Sequence, residues 1–337
     1  MSRAAVLAVD GGNSKTDLAL VGDDGTLLAL VRGPLSSPQH LGVDGCLGVL
    51  DRLLADALAD ARLGNHDGKV AEVASLLLAG VDFPLEEEAM RDAVGHRGWA
   101  RRVHVDNDTF AVLRAGTERG WGVAITCGAG INCVGVSPDG RHARFPALGE
   151  ITGDWGGGYD LGLAAVYAAA RSEDGRGPRT SLEHAVPAHF GLEAPSELAE
   201  AIHFGQIAQR RVIELAPVVL AEASDDAVAA EIVQRLAGEV VALARVALKR
   251  LGLTNEPAEV ILGGGVLQDV DGDLLAAIDN GLREHAPSVT VRPTASPAVV
   301  GAALLGLDQI DAGPDAQRRL RTELADAFSR LEGVNVG

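Results

Sequence analysis

Short apolar runs alternate with longer amphipathic stretches along the first third of the chain. The runs have the length of strands, and the stretches repeat apolar residues every three or four positions, as helices do. Asp23-Asp24-Gly25 supplies a hairpin turn between the second and third runs. The predicted order is three strands (6–9, 16–21 and 27–31), a helix (44–62), a strand (74–79), a helix (85–97), a strand (102–105) and a helix to about 115. This order predicts an α/β layer with a mixed sheet.

The same arrangement begins again after residue 120. Strands are predicted at 122–126 and 131–136, and the Pro138-Asp139-Gly140 turn follows them. VLAVDGGNSKTDLALVGDDG and VAITCGAGINCVGVSPDG share the layout of strand, small-residue turn, strand and hairpin, so the chain carries a weak internal repeat. We therefore predict two similar domains, residues 1–118 and residues 119–337, with a helical insertion in the second.

Later elements complete the second half. They are predicted as helices across 160–171 and 196–250, a strand at 259–262, a helix near 273–285, a strand at 289–291, a helix near 298–307 and an amphipathic helix over 315–331.

Composition narrows the class of partner. The formal net charge of −18 argues against nucleic acid and anionic membranes, whose phosphates would be repelled. Three cysteines form no disulfide framework, and the spacing of Cys127 and Cys133 lacks the second pair that a zinc site needs. Apolar runs are too short to span a bilayer, and no signal peptide precedes the first strand, so we expect a cytoplasmic protein.

The glycine-containing turns are the candidate functional sites. Asp10 ends an apolar strand and is followed by Gly11 and Gly12. Burying a carboxylate at the end of such a strand costs free energy unless a cation or a hydrogen-bond donor meets it. Turns without side chains let backbone N–H groups approach an anion. GGNSKT is not a Walker P-loop, and GAGINCVG lacks the spacing of a dinucleotide fingerprint and leads into a strand. A duplicated strand–turn–strand hairpin is a different way to hold a polyphosphate.

Five motifs occur in order: DGGNSKTDLAL, DND at 106–108, CGAGINC at 127–133, GDWGGG at 153–158 and ILGGGVL at 261–267. Together they resemble the BadF/BadG/BcrA/BcrD ATPase family, which includes N-acetylglucosamine kinases and belongs to the sugar kinase–actin–chaperone superfamily. The resemblance implies two ribonuclease-H-like, actin-like ATPase domains around a nucleotide cleft, with ATP and Mg²⁺ as cofactors. It also implies a small-molecule sugar substrate and a homodimer.

The implied reaction is ATP-dependent phosphorylation of an amino sugar, N-acetylglucosamine or glucosamine, to its 6-phosphate. Two alternatives stay open: an ATPase that activates a dehydratase or reductase, and a nucleotide-binding sensor without phosphotransfer. The three cysteines do not suggest the cluster ligands that such activators carry at a subunit interface.

The resemblance also implies roles for nucleotide-binding residues. Asp10 would hold Mg²⁺ through water, the alternative being an acid that only caps its turn. Lys15 suits phosphate, although a solvated turn residue would look the same. The glycines after the strand at 259–262 either lie under the adenosine or merely lead into a helix. The implied phosphate and nucleotide contacts are Gly11, Gly12, Asn13, Ser14, Lys15, Thr16, Gly128, Ala129, Gly130, Gly263, Gly264 and Gly265.

The sugar side is implied by DND and GDWGGG. Asp108 is favoured over Asp106 as the base that accepts the sugar hydroxyl proton, and either acid could instead cap the following helix. Asp154 would contact a sugar hydroxyl unless it satisfies only its own turn. His40, His142 and Trp155 are candidates only for lining. The implied sugar contacts are Ser37, Gln39, Asp82, Asn107, Asp108, Asp154, Gly156 and Gly157.

Two residues depart from the family pattern. Ser37 stands where amino-sugar kinases of the family tend to carry Asn, which weakens any prediction of the groups that are recognised. Ala129 stands where the second turn often has Thr, so a hydroxyl contact to phosphate is missing. Such a loss costs about 1 kcal/mol.

Overall fold

A computed structural model describes residues 4–63, 69–270 and 272–334. The chain divides into two compact units, Met1–Trp121 with Ser296–Gly337, and Gly122–Ala295. Residues 296–337, which the sequence placed in the second domain, are therefore grouped with the first unit. The predicted change of domain near residue 118 lies close to the start of the second unit.

The structure confirms the alternation of strands and helices. The strands are β1 Val6–Gly11, β2 Lys15–Val21, β3 Leu27–Pro34, β4 Ala71–Leu78, β5 Ala100–Asn107, β6 Gly122–Cys127, β7 Ile131–Val136, β8 His142–Arg144, β9 Glu259–Gly263 and β10 Thr290–Pro293. The α-helices are α1 Pro38–Asp60, α2 Pro84–Arg97, α3 Asp108–Gly116, α4 Gly157–Glu173, α5 Leu182–His189, α6 Pro195–His203, α7 Ala216–Glu222, α8 Ala227–Leu251, α9 Gly272–Arg283, α10 Ala298–Asp308 and α11 Pro314–Val334. Short 3-10 helices cover Gly149–Ile151 and Gln209–Leu215.

The first unit is built on a mixed five-stranded sheet in the order β3-β2-β1-β4-β5. β1 pairs antiparallel with β2 and parallel with β4. Leu7 and Val9 of β1 belong to a buried cluster with residues of α1 and α2, such as Leu50 and Met90. α3 and α10 pack on each other and on β1. Both faces of β1 are therefore covered, which explains why its apolar run is continuous.

The second unit repeats this topology. Its sheet has the order β10-β9-β6-β7-β8, with β6 antiparallel to β7 and parallel to β9. β6 to β8 therefore occupy the places of β1 to β3, and β9 and β10 those of β4 and β5. The internal repeat predicted from sequence is confirmed. β8 was not predicted because three residues are too few to show an alternating pattern.

The helical insertion differs in detail from the prediction. The helical region predicted across 196–250 is divided into α6, a 3-10 turn, α7 and α8. Gly205 takes a positive φ of 73° just after α6, and Pro217 lies in the first turn of α7, where its fixed φ is accommodated. α5 was missed altogether. Leu182, Leu198 and Leu215 bury these short segments against α4 in a cluster of their own.

The last two helices are fixed to the first unit by close packing and ion pairs. A Cβ on Gly301 of α10 would lie 1.8 Å from the carbonyl oxygen of Ala111 in α3, so only glycine allows this approach. The Arg114 guanidinium is buried and pairs with Asp308 at 2.8 Å. Among the described residues, no helix is both long enough and apolar enough to cross a bilayer.

Candidate functional site

The first glycine turn joins β1 to β2 and presents its tip to solvent. The Gly12 N–H donates to the Lys15 carbonyl at 2.9 Å and closes the turn. A Cβ on Gly11 would lie 2.5 Å from Cδ2 of Leu78 and 2.6 Å from Oγ of Ser36, so packing against these side chains favours glycine there. Asn13, Ser14 and Lys15 are exposed, as a phosphate-binding loop requires. The backbone of this turn is open to an incoming anion.

Thr16 lies on the inner side of the same hairpin. Its hydroxyl is fully buried, 2.7 Å from the Pro34 carbonyl and 2.7 Å from the Ser36 hydroxyl. The side chain therefore holds the segment between β3 and α1 against the hairpin. Of the residues predicted for this turn, Thr16 is the one whose hydroxyl is engaged inside the protein.

A row of charged side chains crosses the sheet from Asp10. Asp17 is the partner of Asp10 in the β1–β2 register, and Arg32 is the partner of Asp17 in the β2–β3 register. The buried Asp17 carboxylate accepts two hydrogen bonds from the Arg32 guanidinium, at 2.7 and 2.9 Å. Sequence reasoning missed both residues, although Asp17 carries the same signal as Asp10, an acid within an apolar strand.

Burial and neighbouring charge act on the acids at this edge. Burial raises the pKa of Asp10 well above its ordinary value, and the carboxylates of Asp108 and Asp17 raise that pKa further. Lys15 and Arg32 oppose the rise in the pKa of Asp10. Burial also raises the pKa of Asp108 to about 6. The structure thus brings Asp10 and Asp108 into one electrostatic environment with excess negative charge, which a bound cation would relieve.

The donors present fit magnesium rather than a metal held by protein ligands alone. Among the described residues, no three His, Cys, Asp or Glu side chains are grouped so as to hold a metal ion. Mg²⁺ keeps several waters and binds through one or two carboxylates together with substrate phosphates. Asp10 beside an exposed, glycine-containing turn matches that requirement.

The DND motif links the end of β5 to the start of α3. Asn107 caps α3, and its side-chain oxygen accepts the Thr109 N–H at 2.9 Å. Its amide nitrogen donates to Asp82 at 2.9 Å, and its backbone N–H donates to Asp106 at 2.8 Å. Asp108 is the first residue of α3 and is half-buried. Asn107 and Asp82, both predicted to contact sugar, therefore lie together beside Asp108.

Ser37 occupies the N-cap position of α1, and Gln39 lies in the first turn of that helix. The Ser37 hydroxyl is buried and donates to the Ala79 carbonyl at 2.9 Å, so it bonds to the backbone that follows β4. Gln39 is exposed, and its side chain lies against Gly80, whose φ is 75°. Of these two predicted sugar contacts, Gln39 is the accessible one.

The second glycine turn joins β6 to β7 and is bound by the start of α4. The Gly128 N–H donates to the Gly130 carbonyl at 2.9 Å within the turn. The Gly158 N–H donates to the Gly128 carbonyl at 2.8 Å, and the Tyr159 N–H donates to the Ala129 carbonyl at 3.0 Å. The CGAG turn and the GDWGGG loop, which are separate motifs in the sequence, form one substructure of the second unit.

Gly157 makes this docking possible. Its φ is 81°, and a Cβ there would lie 2.5 Å from the Cα of Gly130. Gly156 donates its N–H to the Asp160 carboxylate at 2.9 Å, which fixes the loop at the start of α4. These two predicted sugar contacts therefore also have a packing role that the sequence did not reveal.

The rest of the GDWGGG loop is held by its own side chains and by α8. The Thr152 hydroxyl donates to the Asp154 carboxylate, and the Asp154 N–H donates to the Gly149 carbonyl at 3.1 Å. The Arg235 guanidinium lies 3.9 Å from the centroid of the Trp155 ring. Sequence reasoning missed Arg235, because nothing in the pattern of a single helix indicates which loop it contacts.

The third glycine turn follows β9 and lies against the end of β6. Gly264 has a φ of 82°, and a Cβ there would lie 2.5 Å from the Cys127 carbonyl oxygen. The Val266 N–H donates to that same carbonyl at 3.0 Å. Gly263 pairs with Thr126 in the β6–β9 register, and a Cβ on Gly265 would meet nothing within 4 Å. Gly265 is thus the member of the triplet that packing leaves open.

The cysteines are buried thiols, as predicted. Cys46, Cys127 and Cys133 are all free and buried. Burial raises the pKa of Cys46 and of Cys127 to about 12 each, and it raises the pKa of Cys133 as well. These thiols are therefore protonated at neutral pH and are poor metal ligands.

The fold and the glycine turns together define an actin-like ATPase architecture, and the sequence comparison agrees. Residues 7–306 match the profile of the BadF/BadG/BcrA/BcrD ATPase family. The chain belongs to this family. The recognition made from the five motifs is confirmed.

Two relatives of the chain are named as sugar kinases. It is 27% identical over 310 residues to an N-acetylmuramic acid/N-acetylglucosamine kinase of Clostridium acetobutylicum, covering 91% of this chain and 99% of the relative. It is 25% identical over 316 residues to an N-acetyl-D-glucosamine kinase of Dictyostelium discoideum, again covering 91% and 99%.

Solved structures show the same fold. A protein of Chromobacterium violaceum, provisionally assigned as an N-acetylglucosamine kinase, superposes with a TM-score of 0.69 at 23% identity, covering 91% of this chain and 100% of that chain. A ROK family glucokinase of Streptomyces griseus, solved with glucose and AMPPNP, superposes with a TM-score of 0.55 at 19% identity, covering 89% and 98%. The predicted α/β architecture with two related sheets is confirmed.

Proposed function

We propose that the protein transfers the γ-phosphoryl group of ATP to an amino sugar, with N-acetylglucosamine the first candidate and its 6-hydroxyl the acceptor. The observation that carries the proposal is the electrostatic interaction between two carboxyl groups, that of Asp10 at the end of β1 and that of Asp108 at the start of α3. Two acids in one electrostatic environment suit a reaction that needs a metal-binding carboxylate and a separate base. The two sugar-kinase relatives support the choice of acceptor.

Nucleotide binding is assigned to the glycine turns. Exposed groups of Asn13, Ser14 and Lys15 in the first unit, and the backbone of Ala129 and Gly130 in the second, would contact phosphate, with Lys15 adding charge. The Gly12 and Gly128 N–H groups instead close their own turns. Gly263–Gly265 would lie next to the adenosine. Asp10 would hold Mg²⁺, which supplies charge neutralisation on the phosphates when bound.

Asp108 is assigned as the general base. A carboxylate with a pKa of about 6 is largely ionised at neutral pH and still basic enough to accept the proton of a sugar hydroxyl. Its place in the first turn of α3 stabilises the ionised form, because the Thr109 N–H favours the carboxylate. Asn107 and Asp82, which bind each other, would orient the sugar beside it.

The remaining predicted sugar contacts divide by accessibility. Gln39, Asp154 and the backbone of Gly156 and Gly157 would approach the sugar. Ser37 would act through the backbone that it holds, because its hydroxyl is already bonded to Ala79. The buried, protonated cysteines weigh against the alternative of an activator ATPase that binds a metal cluster.

The experiment is a panel of sugars assayed for ADP release with Mg²⁺-ATP. N-acetylglucosamine, glucosamine, N-acetylmuramic acid, N-acetylmannosamine and glucose would be compared at equal concentration. We expect release above the no-sugar background for at least one amino sugar, with mass spectrometry detecting the sugar phosphate in equal amount. ADP release that no sugar stimulates would contradict a kinase and favour the activator. Binding of ATP without any release would favour the sensor.

A further inference from the structure

A cavity of about 420 Å³ lies at the carboxyl end of α8 in the second unit, apart from the glycine turns. Its lining residues come from the last turns of α8, from Thr254 and from the end of α9 and the residues just after it. They are Arg245, Val246, Leu248, Lys249, Thr254, Leu282, His285 and Ala286. The volume falls within the roughly 300–1,000 Å³ of small-molecule sites.

Polar and apolar groups are segregated in this cavity. Leu248, Leu282 and Ala286 lie on the protein side of the cavity and have almost no exposed surface, and Val246 beside them is half-buried. Arg245, Lys249 and His285 are exposed at its rim. Arg245 and Lys249 are four residues apart on α8 and therefore lie on the same face of the helix.

These basic side chains have no partner in the part of the chain that the structure describes. Neither an ion pair nor a side-chain hydrogen bond involves Arg245, Lys249 or His285, whereas the neighbouring Arg283 pairs with Asp279 at 2.6 Å. The three unpaired side chains therefore lie around one cavity. They can bind an anion without first breaking a bond.

Helix capping does not explain them. The Leu248 and Lys249 carbonyls at the end of α8 accept hydrogen bonds from the Leu253 and Gly252 N–H groups, at 2.8 and 3.2 Å. The carboxyl ends of α8 and α9 still contribute negative charge, about half an elementary charge each. The full charges of Arg245 and Lys249 exceed that contribution, so the rim stays attractive to an anion.

We propose that this cavity binds the phosphate monoester of a small organic molecule. A phosphate dianion matches the two cationic donors, Arg245 and Lys249, and the Thr254 hydroxyl. The volume exceeds what a phosphate group alone occupies, so the rest of the molecule would lie against the half-buried Val246 and the aliphatic parts of Arg245 and Lys249. At about 1.5 Å per residue, Lys249 lies roughly 21 Å further along the axis of α8 than Arg235, which contacts the GDWGGG loop. The proposed site is therefore a second site, and it does not depend on the proposed function.

The test is calorimetric titration of the full-length chain with two phosphate monoesters, N-acetylglucosamine 6-phosphate and AMP, and with inorganic phosphate. N-acetylglucosamine and adenosine serve as the matched neutral ligands. The variant Arg245→Gln/Lys249→Gln removes both charges and keeps polar side chains of similar reach. Arg283→Gln is the control, because it removes one nearby charge that does not line the cavity.

We expect a monoester to bind, the double variant to weaken that binding at least tenfold and Arg283→Gln to change it less than twofold. The affinity of the neutral ligands should not respond to the double variant. The monoester that loses affinity identifies the source, a sugar phosphate or a nucleotide. Unchanged monoester affinity in the double variant, a loss of equal size in Arg283→Gln, or binding of inorganic phosphate alone would each overturn the proposal. A circular dichroism spectrum of each variant confirms that the fold is retained.

Discussion

Asp108 combines a half-buried position at the start of a helix with a raised pKa. It begins α3, its carboxylate is half-buried, and its pKa of about 6 separates it from ordinary surface acids. Asp106 lies two residues earlier on β5 and is buried, and it accepts the backbone N–H of Asn107. The two acids that the sequence left in competition are therefore in different settings. Asp106 shapes the loop, and Asp108 is the one that begins a helix beside Asp10.

Exchanging these acids for amides separates the two roles. Asp108→Asn is nearly isosteric but cannot accept a proton, so we expect kcat to fall by about 10²–10⁴-fold with little change in the KM of the sugar. Asp106→Asn should be milder. Steady-state assays of both variants with the best sugar decide the point. A dead Asp106→Asn with an active Asp108→Asn would assign the base to the other acid.

The raised pKa of Asp108 also predicts a pH-dependent stability. Its ordinary value is 3.8, so the unfolded chain ionises first as the pH rises, and the ionised carboxylate then destabilises the fold. Asp108→Asn should therefore raise the free energy of unfolding at pH 8, on the order of 1 kcal/mol, and by less at pH 5. Urea unfolding without Mg²⁺ at both pH values measures this. A larger gain at pH 5 would contradict the burial of this group.

Elements, rather than single residues, position the glycine turns. The start of α4 binds the carbonyls of the CGAG turn, and the Gly264 turn packs on the end of β6. Each contact depends on backbone approaching backbone at a glycine with positive φ. The three short motifs of the second unit are therefore in direct contact through their backbones.

Gly157 and Gly153 test this docking as a matched pair. Both have a φ near 80°, but a Cβ on Gly157 would meet the backbone of Gly130, whereas a Cβ on Gly153 would meet nothing within 4 Å. Gly153→Ala should cost about 1 kcal/mol from backbone conformation alone. Gly157→Ala should cost several times more and weaken ATP binding, as thermal unfolding and calorimetry would show. Equal costs would mean that α4 does not dock on the turn.

The helices and strands were largely predictable from the sequence, but the side-chain contacts between them were not. Periodicity located the long helices and the apolar strands, and the duplicated hairpin predicted the second sheet. β8 and α5 were missed because they are too short for a pattern to develop. The Asp17–Arg32 pair depends on strand register, and the Arg235–Trp155 contact depends on packing between distant segments. Neither can be predicted from the pattern of a single sequence.

The C-terminal helix α11 packs against β3 and against the end of α3. α11 returns to the first unit, where Glu323 accepts the Leu27 N–H at 2.7 Å and Phe328 lies 5.2 Å from the Arg32 guanidinium. Arg321 donates to the carbonyls of Ala115, Arg114 and Thr117, at 2.6, 3.1 and 3.0 Å. These carbonyls lie at the end of α3, the helix that begins with Asp108.

Arg321→Ala should therefore destabilise the first unit. Carbonyls at the end of α3 lose a charged donor, which we expect to cost about 1–3 kcal/mol. Arg318→Ala is the control, since Arg318 is an exposed residue of the same helix that pairs only with Asp315 among the described residues. Denaturant unfolding of both variants measures the difference. A similar small effect in both would show that α11 contributes little through these bonds.

The proposed function requires that the chain transfer a phosphoryl group from ATP to a sugar. The most direct measurement is ³¹P NMR of ATP, Mg²⁺ and N-acetylglucosamine with the wild-type protein and with Asp108→Asn. The proposed function predicts a sugar-phosphate resonance that grows as the γ-phosphate signal falls, at a rate about 10²–10⁴-fold lower in the variant. Loss of the γ-phosphate to inorganic phosphate alone, or equal rates in the two proteins, would contradict it.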